Sequence, residues 1–189
     1  MTYYDKNALK LAHEYLKENV REGDTVVDAT AGKGRDTLLL ASLVGEKGKV
    51  FSIDIQQTAI DGAKALISEN GLKDRVEFIC DSHVNIKKHV PKADGVVFNL
   101  GWLPGSDHEI RTSAETSVSA IGAATEVLKE SGFVIVCIYY GGLSGFEERD
   151  TVLSFLESLD PKVFTVAVTR FANRKGCPPI FAVIEKNRP

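Results

Sequence analysis

The segment Val26-Val27-Asp28-Ala29-Thr30-Ala31-Gly32-Lys33-Gly34-Arg35-Asp36-Thr37 ends an apolar run in an acid, follows it with two glycines, and then starts a helix. That is how a buried strand hands over to a turn that cradles a ligand. A second apolar run, Val50-Phe51-Ser52-Ile53-Asp54, ends in an acid twenty residues after Gly34. Together they describe a site for a nucleoside-bearing cofactor. A dinucleotide turn would carry a third small residue so that the helix can approach a pyrophosphate, but Thr37 follows Gly32 and Gly34. Asp36 adds a carboxylate to the first helical turn, where it would repel a phosphate. A ligand with an ammonium, a ribose and no phosphate fits better. S-adenosylmethionine is such a ligand.

These residues need a scaffold that brings strand ends to one edge. Ala8, Leu11, Ala12, Tyr15 and Leu16 recur at helical spacing, so an amphipathic helix opens the chain. Strands are predicted over 25–29, 50–54, 76–80, 95–98, 133–138, 162–169 and 180–184. Helices fall between them: one from Arg35 to near Gly45, one carrying Ile60, Ala63 and Ile67 and stopped by Gly71, one with Ala114, Val118, Ile121 and Leu128 on a face, and one with Val152, Phe155, Leu156 and Leu159. Alternating strands and helices imply an α/β fold with a mainly parallel sheet and helices on both faces. The last two strands lack a helix between them and should form an antiparallel hairpin, with a loop over 170–179. In such a sheet, ligands sit beyond the carboxyl ends of the strands. Asp28, Asp54, Asp81 and Asn99 end the first four strands.

With these strand ends in place, nearly the whole chain resembles class I methyltransferases of Rossmann-like fold. More narrowly, the segment from Asp28 to Thr37, taken with Asn99-Leu100-Gly101-Trp102-Leu103-Pro104-Gly105-Ser106-Asp107-His108, resembles the YtqB-like family. Its members were long labelled rRNA methylases and are similar to the MnmM-type enzymes that methylate the aminomethyl group of a wobble uridine in tRNA. The resemblance implies S-adenosylmethionine as cofactor and the tRNA anticodon loop as partner, with a homodimer as a compatible assembly. Backbone N–H groups from Ala31 to Gly34, with Thr30, Asp36 and Thr37 around them, would hold the methionine carboxylate. The missing Cβ atoms of Gly32 and Gly34 would let the ligand approach. Asp28 would pair with the ammonium, and Asp54 would accept both ribose hydroxyls. Ile55 would pack on the adenine with Gln56 beside it, and Asp81, Ser82 and His83 would meet its polar edge. His83 lies too far from the sulfonium in this fold to act as a base.

The acceptor chemistry falls to the segment that starts at Asn99. Enzymes that methylate exocyclic base amines often carry Asn/Asp-Pro-Pro-aromatic here, whereas this chain has Asn99-Leu100-Gly101-Trp102. Asn99 keeps an acceptor and Trp102 an aromatic that could stack on a splayed base, but both prolines are gone. That departure suits an aliphatic amine. Such an amine has a pKa near ~10 and must lose a proton before attack. Asp107, His108 and Tyr140 are candidate acceptors; positioning by Asn99, with deprotonation partly by solvent, is favoured. Arg174 and Lys175 on the hairpin loop, with Arg35 and Arg111, form a basic patch for RNA.

The composition sets the limits. The chain has 189 residues, 43% hydrophobic and 26% charged, which suits one domain over 1–189. A net charge of −3 makes nucleic-acid binding a matter of local patches rather than of the whole surface. Cys80, Cys137 and Cys177 form no Cys-x-x-Cys pair, which argues for a reducing compartment and against a zinc site. Cys80 and Cys137 should lie in the core. No run reaches the ~20 apolar residues needed to cross a bilayer, and no basic-then-apolar leader opens the sequence, so a cytoplasmic protein is expected. The rival readings are an rRNA or small-molecule methyltransferase, a non-catalytic nucleoside-binding module and an NAD-dependent oxidoreductase; Thr37 in place of a third glycine counts against the last.

Overall fold

The computed structural model describes residues 2–101, 113–141 and 145–188. Its frame is a seven-stranded sheet of β1 (Thr25–Asp28), β2 (Lys49–Asp54), β3 (Val76–Cys80), β4 (Ala93–Leu100), β5 (Leu128–Ile138), β6 (Phe164–Thr169) and β7 (Ile180–Lys186). The order is β3-β2-β1-β4-β5-β7-β6. Strands β1 to β5 run parallel, and β7 is antiparallel to both β5 and β6. The chain winds outward from β1 to β3, then returns to pair β4 with β1. The β1–β4 seam is therefore a topological switch point, where a crevice opens at the carboxyl ends of the strands.

Neighbouring strand residues face opposite layers. Val27, Val96, Val134 and Val136 join one core with Ile121 and Ala124 of α5 (Ala114–Val127) and with Val152 and Leu156 of α6 (Gly145–Ser158). Val26, Val97, Ile135 and Cys137 join the other with α1 (Ala8–Asn19), α2 (Arg35–Leu43) and α3 (Gln57–Glu69). Each large side chain sealed in these layers stabilises the fold by roughly 1.5–3 kcal/mol. Helix α1 starts where the Asn7 side chain accepts the Lys10 N–H at 2.8 Å. It buries Leu11 and Leu16, and its Tyr15 ring meets Phe133 of β5 edge-on at 5.1 Å.

The sheet and its hairpin match the sequence reading; several boundaries do not. Leu128 leaves the α5 face to open β5 opposite Ala93, and a register shift separates that pair from Gly95–Phe133. Asp94 sits in the irregularity, accepting the Thr25 N–H and the Lys129 ammonium. Strand β6 starts at Phe164 because residues 161–163 turn back onto Asp160, whose carbonyl takes the Val163 N–H. The short helix α4 (Ile86–His89) gave no long periodic signal. Cys137 is buried as expected, but Cys80 is exposed, since β3 is an edge strand with one face uncovered. Among the described residues, no helix is long and apolar enough to cross a membrane.

Candidate active site

Each of the first four strand ends delivers a polar side chain to one edge. Asp28 closes β1 beneath the glycine turn and is fully buried. Its carboxylate accepts the Thr30 N–H at 3.2 Å and the Thr37 hydroxyl at 2.6 Å, and Thr37 also meets the Ser52 hydroxyl at 2.9 Å. Burial pushes the Asp28 carboxyl well above the usual range, and the nearby Asp36 carboxylate pushes it further. Asp28 and Thr37 therefore brace the turn from below. The expected contact with the cofactor's ammonium thus falls on a side chain that has no exposed surface in this structure.

The turn itself also differs from the expected cradle. The N–H groups of Ala31, Gly32 and Gly34 already donate to Ile53 O, Asp54 Oδ2 and Ala31 O at 2.9, 2.9 and 2.7 Å. Three of the four N–H groups from Ala31 to Gly34 are thus taken up within the protein. Gly34 is required for another reason: it sits at φ +75°, and a Cβ there would lie 2.8 Å from Ala63 Cα. Its bare face admits α3 rather than a ligand, the close element packing that a glycine permits. What remains open is the start of α2, where Gly34 provides no side-chain cap for the first-turn N–H groups. Uncapped helix N–H groups with the positive end of the macrodipole suit a carboxylate.

Asp54 is the strand end expected to hold the ribose. It is half-buried at the end of β2, and its two oxygens accept the Gly32 and Gln56 N–H groups at 2.9 Å each. An ionised carboxylate has about four lone-pair directions, so each oxygen keeps capacity for a hydroxyl. Ile55 beside it is 63% exposed, an apolar surface that an adenine ring would cover. Asp81 accepts the Ser82 N–H, the Asn85 amide and the His89 ring, and these bonds, His89 foremost, hold its carboxyl down at about 2. Ser82 caps the following 3₁₀ turn. His83 packs edge-on against Phe98 at 6.0 Å, with Nε2 buried and unpartnered, and burial pulls its pKa down. A buried ring nitrogen without a partner, facing the charges of Asp54 and Glu148, is suited to a ligand's polar edge. These features fit S-adenosylmethionine: an uncapped helix start for the carboxylate, Asp54 for the ribose, Ile55 and the β3 edge for the adenine.

Across the switch point, the Asn99 N–H donates to Thr30 Oγ1 at 2.8 Å, tying β4 to the glycine turn. The Asn99 side-chain amide donates through Nδ2 to Asp36 Oδ2 at 2.7 Å. Asp36 Oδ1 in turn meets His13 Nε2 of α1 at 2.7 Å. Asp36 is thus a buried link rather than a charge facing the ligand. Tyr140, a candidate proton acceptor, instead packs against Phe146 and under the Arg149 guanidinium, 4.8 Å from its ring centroid. Arg35 and Lys175 are exposed. Arg174 is not a free cation: it stacks on Phe171 and donates to the carbonyls of Tyr3, Tyr4 and Lys6, fastening the hairpin loop to the chain's start. Trp102, Asp107, His108 and Arg111 lie outside the described residues.

Sequence reasoning missed His13, Asn85 and His89, whose partners come from tertiary packing or a short helix. It also missed Glu148, an acid buried in α6 that accepts the Ser117 hydroxyl at 2.5 Å. Only the first turn of α6, with Glu147 and Glu148, hinted at it.

Known proteins resemble this chain over most of its length. Residues 50–185 match a family model described as "Putative rRNA methylase". The tRNA (mnm(5)s(2)U34)-methyltransferase of Arabidopsis thaliana chloroplasts is 33% identical over 184 residues, covering 92% of this chain and 67% of the relative. A solved putative rRNA methylase from Clostridium thermocellum is 49% identical and superposes with a TM-score of 0.94, covering 96% of this chain and 98% of the other. A putative methyltransferase from Streptococcus mutans, solved in complex with SAH, is 32% identical with a TM-score of 0.87 and covers 96% and 98%.

Proposed function

The chain belongs to this rRNA methylase family of Rossmann-like class I methyltransferases, and from that premise we propose that its acceptor is the aminomethyl nitrogen of a modified wobble uridine in tRNA. It is an S-adenosylmethionine-dependent RNA methyltransferase. When bound, the cofactor supplies an electrophilic methyl group on a sulfonium for in-line displacement.

The observation that carries the acceptor is the orientation of Asn99. Its Nδ2 is committed to Asp36, which turns Oδ1 away from the carboxylate as a hydrogen-bond acceptor. An amine that donates one N–H to that oxygen has its lone pair fixed in direction, and orientation of this kind is the main contribution a protein makes to a displacement. Asp54 holds the ribose by ground-state contacts, and the start of α2 receives the carboxylate. Tyr140, Phe146 and Arg149 form an aromatic and cationic wall, with Phe146 42% exposed. Such surfaces stack splayed bases. A wobble base in a single-stranded loop leaves its stack at low cost.

The relative named for U34 of tRNA supports this acceptor. The family's own description favours rRNA as a second reading. Both are tested by incubating the purified protein with labelled S-adenosylmethionine and either tRNA carrying aminomethyl uridine or unmodified rRNA, followed by nucleoside mass spectrometry. Methylaminomethyl uridine in the tRNA supports the proposal. Label in rRNA alone overturns it.

A further inference from the structure

We propose that His13 is a positioning residue: through Asp36 it fixes which face of the Asn99 amide is turned toward the methyl acceptor. The proposal rests on the reading of Asn99 as the amine-orienting group.

Three elements far apart in sequence meet here. His13 lies on α1, Asp36 in the first turn of α2 and Asn99 near the end of β4. The two hydrogen bonds are both 2.7 Å and use different oxygens of one carboxylate, Oδ1 for His13 and Oδ2 for Asn99. An asparagine amide is nearly symmetric in shape, and only its partners decide which end faces where. A carboxylate accepts and does not donate, so Asp36 selects Nδ2 and leaves Oδ1 for the substrate. That selection holds only while the carboxylate plane is fixed. Asn99 anchors one oxygen and His13 the other. Among the described residues both of its partners are side chains, so loss of the imidazole leaves the group hinged on Asn99. Asp36 is 7% exposed and stands beside the buried Asp28, and a water replacing the imidazole would supply a donor but not a fixed position for the carboxylate. His13 has its ring partly open to solvent and makes no other hydrogen bond among the described residues.

The test uses the whole chain with three substitutions. His13→Ala removes the donor, His13→Phe keeps a ring without a donor, and His13→Gln restores an N–H that reaches as far as Nε2. The first readout is the Asn99 side-chain amide pair in a ¹⁵N–¹H NMR spectrum, assigned by its loss in Asn99→Ala. Wild type and His13→Gln should show one displaced, hydrogen-bonded pair. His13→Ala and His13→Phe should show it broadened or moved to the free-amide position. The second readout is methyl transfer to aminomethyl-uridine tRNA, where kcat should fall about 10- to 100-fold in Ala and Phe. Recovery in Gln should accompany it, with S-adenosylhomocysteine affinity and melting temperature near wild type. An unchanged amide pair in His13→Ala overturns the proposal whatever the substrate, as does equal kcat in all four proteins. Wild type inactive on that tRNA, with the amide pair still responding to His13, would instead overturn the acceptor assignment.

Discussion

The Asn99 amide and the Asp36 carboxylate meet at 2.7 Å and join the end of β4 to the first turn of α2. The bond crosses the switch point, so the strand end proposed to orient the methyl acceptor is locked to the helix start proposed to receive the cofactor's carboxylate. Orientation at one half of the site is thereby tied to the other.

Asn99→Ala should lower kcat by roughly 100-fold, the scale on which loss of a precise orientation is felt. Cofactor affinity should stay within about threefold, because the lost interaction acts on the acceptor and not on ground-state cofactor binding. Steady-state methyl transfer and calorimetry with S-adenosylhomocysteine separate the two. Wild-type turnover would remove Asn99 from the site.

Asp54→Ala should behave in the opposite way. Charge-assisted hydrogen bonds contribute about 1.5–3 kcal/mol, so cofactor affinity should fall roughly 10- to 100-fold. The Gly32 and Gln56 N–H groups also lose their acceptor. With saturating cofactor, kcat should largely recover. A large kcat loss at unchanged affinity would contradict a ribose-holding role.

Strand ends were legible in the sequence because each is an apolar run stopped by one polar residue, and Asp28, Asp54, Asp81 and Asn99 all lie where that pattern puts them. What each side chain does there was less legible. Asp28 and Asp54 look alike in sequence, yet one is sealed under the turn and the other half-open above it. His13 gave no signal, since its partner is 23 residues away and is brought to it only when α1 packs on the sheet. Arg174 read as a cation for RNA because composition shows charge but not the carbonyls that occupy it. Gly34 reads in the sequence as a glycine that lets a ligand approach, whereas in the fold it is Ala63 of α3 that comes close.

Asp28→Asn should flatten the pH dependence of stability. Asp28's carboxyl is raised in the folded state to about 7, against an unfolded value of about 3.9. The folded state therefore binds this proton more tightly, and the stability it contributes is complete below about pH 4 and lost as pH rises toward neutrality. Asparagine carries no such loss and still accepts from the Thr30 N–H. The variant should match wild type near pH 4 and exceed it at pH 8 by several degrees in Tm. Asp81, held down at about 2, has the opposite sign, so both proteins should still weaken below pH 4. Parallel Tm-versus-pH curves would refute the assignment.

Arg35→Ala and Lys175→Ala should each flatten the salt dependence of anticodon stem-loop binding, by about 0.7 in log–log slope for each single-strand phosphate left without its cation. Arg174→Ala should instead loosen the N-terminal segment, seen as faster amide exchange at residues 3–6, because its guanidinium binds those carbonyls. Fluorescence anisotropy over a salt series provides the slopes. A loss of slope confined to Arg174→Ala would reverse these roles.

Gly34→Ala should destabilise the protein more than any open glycine in the same left-handed conformation. Gly71, at φ +70°, has nothing within 4 Å of an added Cβ, so Gly71→Ala measures the conformational cost alone, about 1–2 kcal/mol. At Gly34, with φ +75°, the added Cβ would stand only 2.8 and 2.9 Å from Ala63 Cα and Cβ. Backbone cannot rotate aside as a side chain can, so α2 and α3 must separate, with a further overpacking cost of about 1–3 kcal/mol. Separation also disturbs the start of α2, and cofactor affinity should fall together with Tm. Adding Ala63→Gly to Gly34→Ala relieves the clash with the Ala63 methyl but not the clash with its backbone, so the double variant should recover only part of the stability. Full recovery would place the strain on the Ala63 side chain alone, and a Tm drop equal to that of Gly71→Ala would show that α3 does not press on the turn.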